Sequence, residues 1–209
     1  MHRVFVDEAA SEDALHVAVD WLRQGRVVIF PTDTFYGLAA DPTSATALRA
    51  LFALKGRPAT SALPFIAASV AQVETWCGPL TGRSARLAAR FWPGPLAIVL
   101  DAPRSVDPAA LGGAESIAIR VPDHAVARAL AAAWGAPLPA TSANRTGAPA
   151  VRTPDALGAI ADEATVLVVD AGEAPGGDPS TIVDARGREP RLVRDGAIAW
   201  SRVLNFLEG

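Results

Sequence analysis

The sequence predicts an α/β fold in which helices pack on a twisted, mixed sheet. Half of the 209 residues are hydrophobic and a fifth are charged, a balance that supports one sizeable core and excludes disorder as the main state. Short β-branched runs such as Val27-Val28-Ile29 are interleaved with stripes of helical period. Strands and helices do not alternate strictly, which favours a mixed sheet over a Rossmann fold. Gly and Pro punctuation is spread evenly and no repeat is visible, so residues 1–209 are expected to form one domain.

Ser11 precedes Leu15, Ala18, Val19 and Leu22, an amphipathic stripe closed by Gly25, and the pattern predicts a helix with Ser11 as N-cap. Val27 to Phe30 reads as a buried strand stopped by Pro31. A helix over Ser44 to Leu54 points Leu48, Leu51 and Phe52 inward and ends at Gly56 and Pro58. Leu63 to Ala67 suits a strand, and Ser69 to Trp76 and Ser84 to Phe91 suit helices, the second ended by Pro93-Gly94-Pro95. Leu96 to Leu100 and Ser116 to Val121 read as strands separated by a Pro/Gly loop. Val126, Leu130, Ala133 and Trp134 mark another helix, and Thr153-Pro154 is an N-cap and first-turn pair for the next. Thr165 to Val169, Ser180 to Val183 and Arg191 to Arg194 complete the strands before a final helix with Val203, Leu204 and Leu207.

Composition narrows the function. A single cysteine, Cys77, excludes an internal disulfide, and three scattered histidines show no metal-ligand spacing. A net charge of −3 supplies no global field for nucleic acid, which makes a small-molecule site the first expectation. No apolar run approaches the ~20 residues of a membrane span, and the acidic start lacks the features of a leader, so a cytoplasmic protein is expected.

Four segments carry polar chemistry. Phe30 to Leu38 places Thr32, Asp33, Thr34 and Tyr36 directly after a strand, where ligands bind, although the same residues also suit a side-chain-closed turn. Lys55-Gly56-Arg57 sets two cations across a glycine: they suit one anion, or equally a basic helix end. Lys55 is the only lysine in an arginine-rich chain. In Thr141-Ser142-Ala143-Asn144, Ser142 and Asn144 share a side if the chain is extended, apt for a nucleotide, or else close an ordinary turn. The Gly/Pro loop from Ala171 to Thr181, with Arg191 and Arg194 beyond, suits a backbone nest or a hairpin. His124 falls at an expected helix start, a poor place for a base. Walker, GxGxxG, GxSxG and HExxH patterns are absent.

In order along the chain, PTDTFYGLAAD (31–41), LKGRP (54–58), FWPGPLAIVL (91–100), IAIRVPDH (117–124), TSANRTG (141–147), STIVD (180–184) and RDGAI (194–198) are similar to the YrdC-like family, in particular its short-form threonylcarbamoyl-AMP synthases. The resemblance spans about residues 14–198. It implies a largely parallel twisted sheet around a concave basic cavity, in which ATP, L-threonine and bicarbonate give threonylcarbamoyl-AMP and pyrophosphate for the modification of tRNA, usually with Mg2+. Carried over, Lys55, Arg57, Ser142, Asn144 and Arg194 would meet ATP, and Thr34, Arg120 and Thr181 would meet threonine. No protein nucleophile is implied, since Lys55, Arg57 and Arg120 would act by positioning. The product would pass to threonylcarbamoyl transferase machinery.

The chain departs from the family pattern at Thr60-Ser61-Ala62, at Ala150 and at Pro179, each of which removes a polar group the family commonly has. With nothing after Gly209 in these 209 residues, the short form without the extra C-terminal domain of longer members is expected. Two alternatives remain: an RNA-binding or ribosome-associated module using the same cavity, and a carbamoyl-adenylate-forming relative.

Overall fold

The computed structural model describes residues 1–6, 12–58 and 61–209. Strand β1 (His2–Phe5) leads to helix α1 (Glu12–Arg23), which buries Leu15, Ala18, Val19 and Leu22 as its stripe requires. The expected Ser11 cap lies outside the described residues. Strand β2 (Val27–Phe30) is buried along its whole length, and after a polar turn the chain returns as β3 (Gly37–Ala39). Helix α2 (Ala45–Lys55) starts on Ser44, whose hydroxyl accepts from the Ala47 amide at 3.3 Å. It ends with Gly56 at φ 61°, its amide and that of Arg57 returning to Ala53 and Phe52 in a Schellman pattern.

Strand β4 (Pro64–Ile66) precedes α3 (Val70–Cys77) and α4 (Gly82–Phe91), both inside or within two residues of the expected ranges. Strand β5 (Leu96–Asp101) and β6 (Ser116–Arg120) flank a short helix α5 (Pro108–Leu111), where the sequence suggested only a loop. Asp107 caps α5 by accepting from the Ala109 amide at 2.9 Å. Helix α6 (Ala125–Trp134) follows, then the two-residue strands β7 (Leu138–Pro139) and β8 (Thr141–Ser142). The helix expected from Thr153-Pro154 is a 3-10 turn, Pro154–Leu157, broken by Gly158 at φ 55° before the short α7 (Ala159–Asp162). Strands β9 (Val166–Asp170), β10 (Thr181–Asp184) and β11 (Arg191–Arg194) and helix α8 (Trp200–Glu208) complete the chain.

The mixed α/β class is as expected, but the strands form two sheets. One has the order β1-β9-β2-β3-β8 and the other β11-β10-β5-β6-β4-β7. The pairings β1–β9, β2–β9, β5–β10 and β4–β6 are parallel and the remaining described ladders are antiparallel, so parallel pairing does not dominate as the family resemblance implied. The division arises at Ala140. The chain leaves β7, paired with β4, and after this one residue enters β8, paired with β3 of the other sheet. Two-residue strands carry no readable alternation, which is why the crossing is silent in the sequence.

Alternation assigns the faces of the second sheet. Leu96, Ile98, Ile117, Ile119 and Val183 join a core with Leu87, Phe91 and Val203, which seats α4 and α8 on that side. The opposite face carries Ala97, Val99, Ser116, Ala118 and Ile182, with Ala97 opposite Ile182 and Val99 opposite Ala118. Small residues at these positions leave the face hollow.

Candidate active site

The hollow is a cavity of about 620 Å3, walled by the turn after β2, the end of α2, the β7–β8 crossing and strands β5, β6, β10 and β11. Its described lining contains Lys55, Arg57, Arg120 and Arg194 and no carboxylate. Thr34 and Ser142 line it as well.

In the turn after β2 the two threonines divide the work. The Thr32 hydroxyl donates to Phe35 O at 2.7 Å and accepts from the amides of Thr34 and Phe35, so it closes the turn. Closing the turn presents Thr34 to the cavity, its Oγ1 3.2 Å from that of Thr32. Tyr36 does no acid–base chemistry here: its hydroxyl donates to Gly172 O at 2.6 Å, and burial pushes its pKa up to about 12.

Asp33 turns to Arg120. The Arg120 Nη1 donates to both carboxylate oxygens at 2.5 and 2.6 Å and to Gly94 O at 3.4 Å, and Asp33 also accepts from the Asp123 amide. Both side chains are about 8% exposed, so this is a buried pair linking the β2–β3 turn to the end of β6. Arg120 shares its face with Ala118, as strand alternation requires. All its bonds to described residues run through Nη1, which leaves the Nε and Nη2 side of the fork for the cavity.

Lys55 is the last residue of α2 and only 5% exposed. Its Nζ donates to Ser142 O at 2.7 Å and Ser142 Oγ at 3.0 Å, and reaches Asn144 O and Oδ1 at 3.3 Å. The lysine therefore neither hangs in a loop nor caps its own helix: it pins the segment after β8. The Thr146 amide and hydroxyl bond back to Lys55 O, doubling the link. Burial, and then the charge of Arg57, lower its pKa to about 8. Arg57 has left the helix, is half-buried and lines the cavity.

Arg194 on β11 holds Ser180 O with Nε and Nη2 at 3.0 and 2.6 Å, and Ser180 Oγ at 2.8 Å. Burial lowers its pKa, and the charges of Arg120 and Arg57 add to that. Gly196 makes this wall possible, because a Cβ there would overlap Pro179 O and approach Ser180 C to 2.8 Å.

The structure therefore gathers Thr34, Lys55, Arg57, Arg120, Ser142 and Arg194 around one cavity. Asn144 sits just outside the lining, held by Lys55 and donating from Nδ2 to Arg145 O and Ala148 O. Thr181 does not join them. It is fully buried, donating to Ile198 O at 2.7 Å and accepting from the Ile198 amide at 2.9 Å. Its expected place is taken by Ser180, one residue away and therefore on the opposite face. Val183, buried in the core, fixes that phase and would have revealed it. Asp33 was also missed as a site residue, because its partner lies 87 positions away. His124 caps nothing with its side chain; its Nδ1 is buried without a partner among the described residues, and burial lowers its pKa. Among the described residues no group of three or more His, Cys, Asp or Glu is placed to hold a metal ion.

Comparison with known proteins identifies the family. The sequence profile of the Sua5/YciO/YrdC family, described as "Telomere recombination", matches residues 20–196. The chain belongs to that family. It is 34% identical over 199 residues to the threonylcarbamoyl-AMP synthase of Bacillus subtilis, covering 94% of this chain and 58% of that protein. The enzyme of that name from Shigella boydii is 38% identical over 176 residues, 83% of this chain and 92% of that one. Among solved structures, Sua5 of Pyrococcus abyssi complexed with L-threonine superposes with a TM-score of 0.88 at 32% identity, over 99% of this chain and 61% of that one. The chain thus spans about three fifths of the longer family members and nearly all of a shorter one. No described helix is long and apolar enough to cross a membrane.

Proposed function

We propose that this family member is an L-threonylcarbamoyladenylate synthase, a cytoplasmic enzyme that makes threonylcarbamoyl-AMP from ATP, L-threonine and bicarbonate and hands it to a threonylcarbamoyl transferase acting on tRNA. The observation that carries the reading is a cavity whose described lining holds four basic side chains and no carboxylate, one of the four a guanidinium held by a single nitrogen among the described residues. All three substrates are anionic or carry a carboxylate, and every relative named above bears that activity or binds threonine.

In this reading Arg120 takes the threonine carboxylate on its free edge, and Thr34 and Ser180 flank the amino acid. The threonine amine and bicarbonate combine, with loss of water, to a carbamate. A carbamate oxygen then attacks the α-phosphorus, the bond to the bridging oxygen breaks, and pyrophosphate leaves. Arg57 and Arg194, which have no carboxylate partner among the described residues, stabilise the phosphate charge as it builds, a role for fixed donors that needs no protein nucleophile. Lys55 shapes the Ser142–Asn144 segment against which the nucleotide lies. The described lining offers no carboxylate to a metal, so magnesium belongs with the phosphates of ATP as part of that substrate.

The test is pyrophosphate release by the purified protein with ATP, with threonine and bicarbonate each omitted in turn, and detection of the adenylate by chromatography. Release that needs both is expected. Equal release with serine or without an amino acid would sink the proposal.

A further inference from the structure

The side of the second sheet that faces away from the cavity carries a separate charged feature. On α4, Arg83, Arg86 and Arg90 follow the i, i+3, i+7 spacing of one helix face. Arg202 of the adjoining α8 approaches the ring of Phe91 at 5.8 Å, and Arg90 approaches the same ring at 5.4 Å. Arg83 bonds Gly187 O at 3.3 Å, which brings exposed Arg188 alongside. None of these five forms a salt bridge among the described residues, whereas seven other arginines do. Residues 75–100 contain no Asp or Glu, although the chain as a whole has net charge −3. Exposed Glu189 and Glu208 border the face beside Arg188 and at the end of α8, so the basic charge is segregated chiefly along α4 and Arg202.

We infer that the α4–α8 face binds the phosphodiester backbone of RNA, at a site distinct from the cavity. The row on α4 runs about 10 Å along the helix, long enough to follow a charged chain rather than a single anion. Guanidinium groups are forks that fit phosphate oxygens, and stacking on Phe91 and Phe206 fixes their planes in advance. The exposed large hydrophobic residues, Met1, Phe5, Val17, Val70, Leu192 and Val193, all lie off α4 and α8. The face therefore lacks both the apolar centre of a protein interface and the anchors of a lipid-surface helix. Because Leu96 and Ile98 of β5 point to α4 while Ala97 and Val99 line the cavity, RNA on this face leaves the cavity open.

The probe is a fluorescein-labelled RNA hairpin, followed by anisotropy from 50 to 200 mM salt. Four or five phosphate contacts predict a loss of about a hundred-fold in affinity across that range. Replacing Arg83, Arg90 and Arg202 together by Gln should reduce the slope of log K against log salt by about 2–3. Arg86 is left in place because it holds the carbonyls of Phe206 and Leu207. Ala89→Glu, which adds an opposing charge at an exposed position of the same face and removes no contact, should weaken binding at least tenfold at 50 mM salt. Binding should persist unchanged in saturating ATP, and pyrophosphate release by both variants should match the wild type. An unaltered slope in the triple variant, competition by ATP, or binding to phosphatidylserine vesicles in preference to the hairpin would each overturn the inference, and none of them bears on the adenylate reaction.

Discussion

Asp33→Asn is the perturbation that most directly probes the cavity. It keeps the shape of the side chain and one carbonyl oxygen but removes the charge that compensates Arg120 in a pair whose members are both about 8% exposed. Breaking a buried pair from one side costs about 3–5 kcal/mol, and the retained oxygen recovers part of that, leaving roughly 2–3 kcal/mol. For a chain of this size that corresponds to a fall in Tm of about 5–10 °C. The second effect is on function. With Nη1 no longer clamped, the fork loses its fixed plane, and losing one well-aligned charged hydrogen bond raises the KM for threonine about tenfold. Arg120→Lys is the companion, since lysine keeps a cation beside Asp33 but has no second edge to offer. It should lower Tm less than Asp33→Asn while raising the threonine KM at least as much, and the KM for ATP should move little in either variant. Pyrophosphate release with each substrate titrated separately, beside thermal melts, reads all three quantities for each variant. A threonine KM unchanged in Asp33→Asn, or threonine and ATP affected equally, would show that the pair holds the fold and does not orient a substrate.

The other expectations concern the remaining walls. Lys55→Ala should lower Tm as well as ATP use, because it strands the oxygens of Ser142 and Asn144, whereas Arg57→Ala should weaken ATP binding tenfold or more with the melt unchanged. Lys55 gives up its proton near pH 8 in the folded protein and near 10.5 when unfolded. The folded state binds fewer protons in that window, so this group favours folding as pH rises from 8 to 10.5. The neutral amine holds the 142–144 segment less firmly, and ATP use should therefore decline above pH 8 with no fall in Tm. Asp184, clamped chiefly by Arg186 and held down to about 2, contributes stability above pH 3.8 that is lost as pH falls through 2. Asp184→Asn should flatten that acid limb in a melt series. Gly196→Ala should push Pro179 and Ser180 aside and loosen Arg194, which activity and circular dichroism together would report as lost ATP use in a folded protein.

Much of the framework was legible because single elements declare themselves. The stripe of α1, the Ser44 and Gly56 caps of α2 and the buried run of β2 each need only their own residues to be read. What escaped depends on partners distant in sequence. β3 sits inside the polar segment 31–41 and is a strand only because β2 and β8 supply ladders on both sides. β1 has a largely exposed pattern and is held by one parallel neighbour. At the site, strand alternation put Arg120 with Ala118 on the face that lines the cavity and the family resemblance brought in Ser142, yet no local rule could say that Asp33 would occupy one nitrogen of Arg120 or that Lys55 would be saturated by its own chain. Thr181 failed differently: the face of a four-residue strand was assigned by resemblance when the burial of Val183 fixed it.

The four cavity cations are tolerated for different reasons, and the difference assigns their work. Lys55 is neutralised in effect by four oxygen atoms of the chain, so it has little left for a ligand and acts on architecture. Arg120 is compensated by a full charge from Asp33 and retains a free edge, which suits a small carboxylate that arrives and leaves. Arg57 and Arg194 have no carboxylate partner among the described residues, and Arg194 already feels the positive charge of both Arg57 and Arg120. Neighbouring cations without carboxylate partners repel one another, and an anion placed between them relieves that repulsion more as its charge grows. Triphosphate gains more from this pair than the single carboxylate of an amino acid can. On the proposed function, Arg120, already compensated by Asp33, therefore reads the carboxylate, and the uncompensated Arg57 and Arg194 take the phosphates, over a floor that includes Ala97 and Ala118.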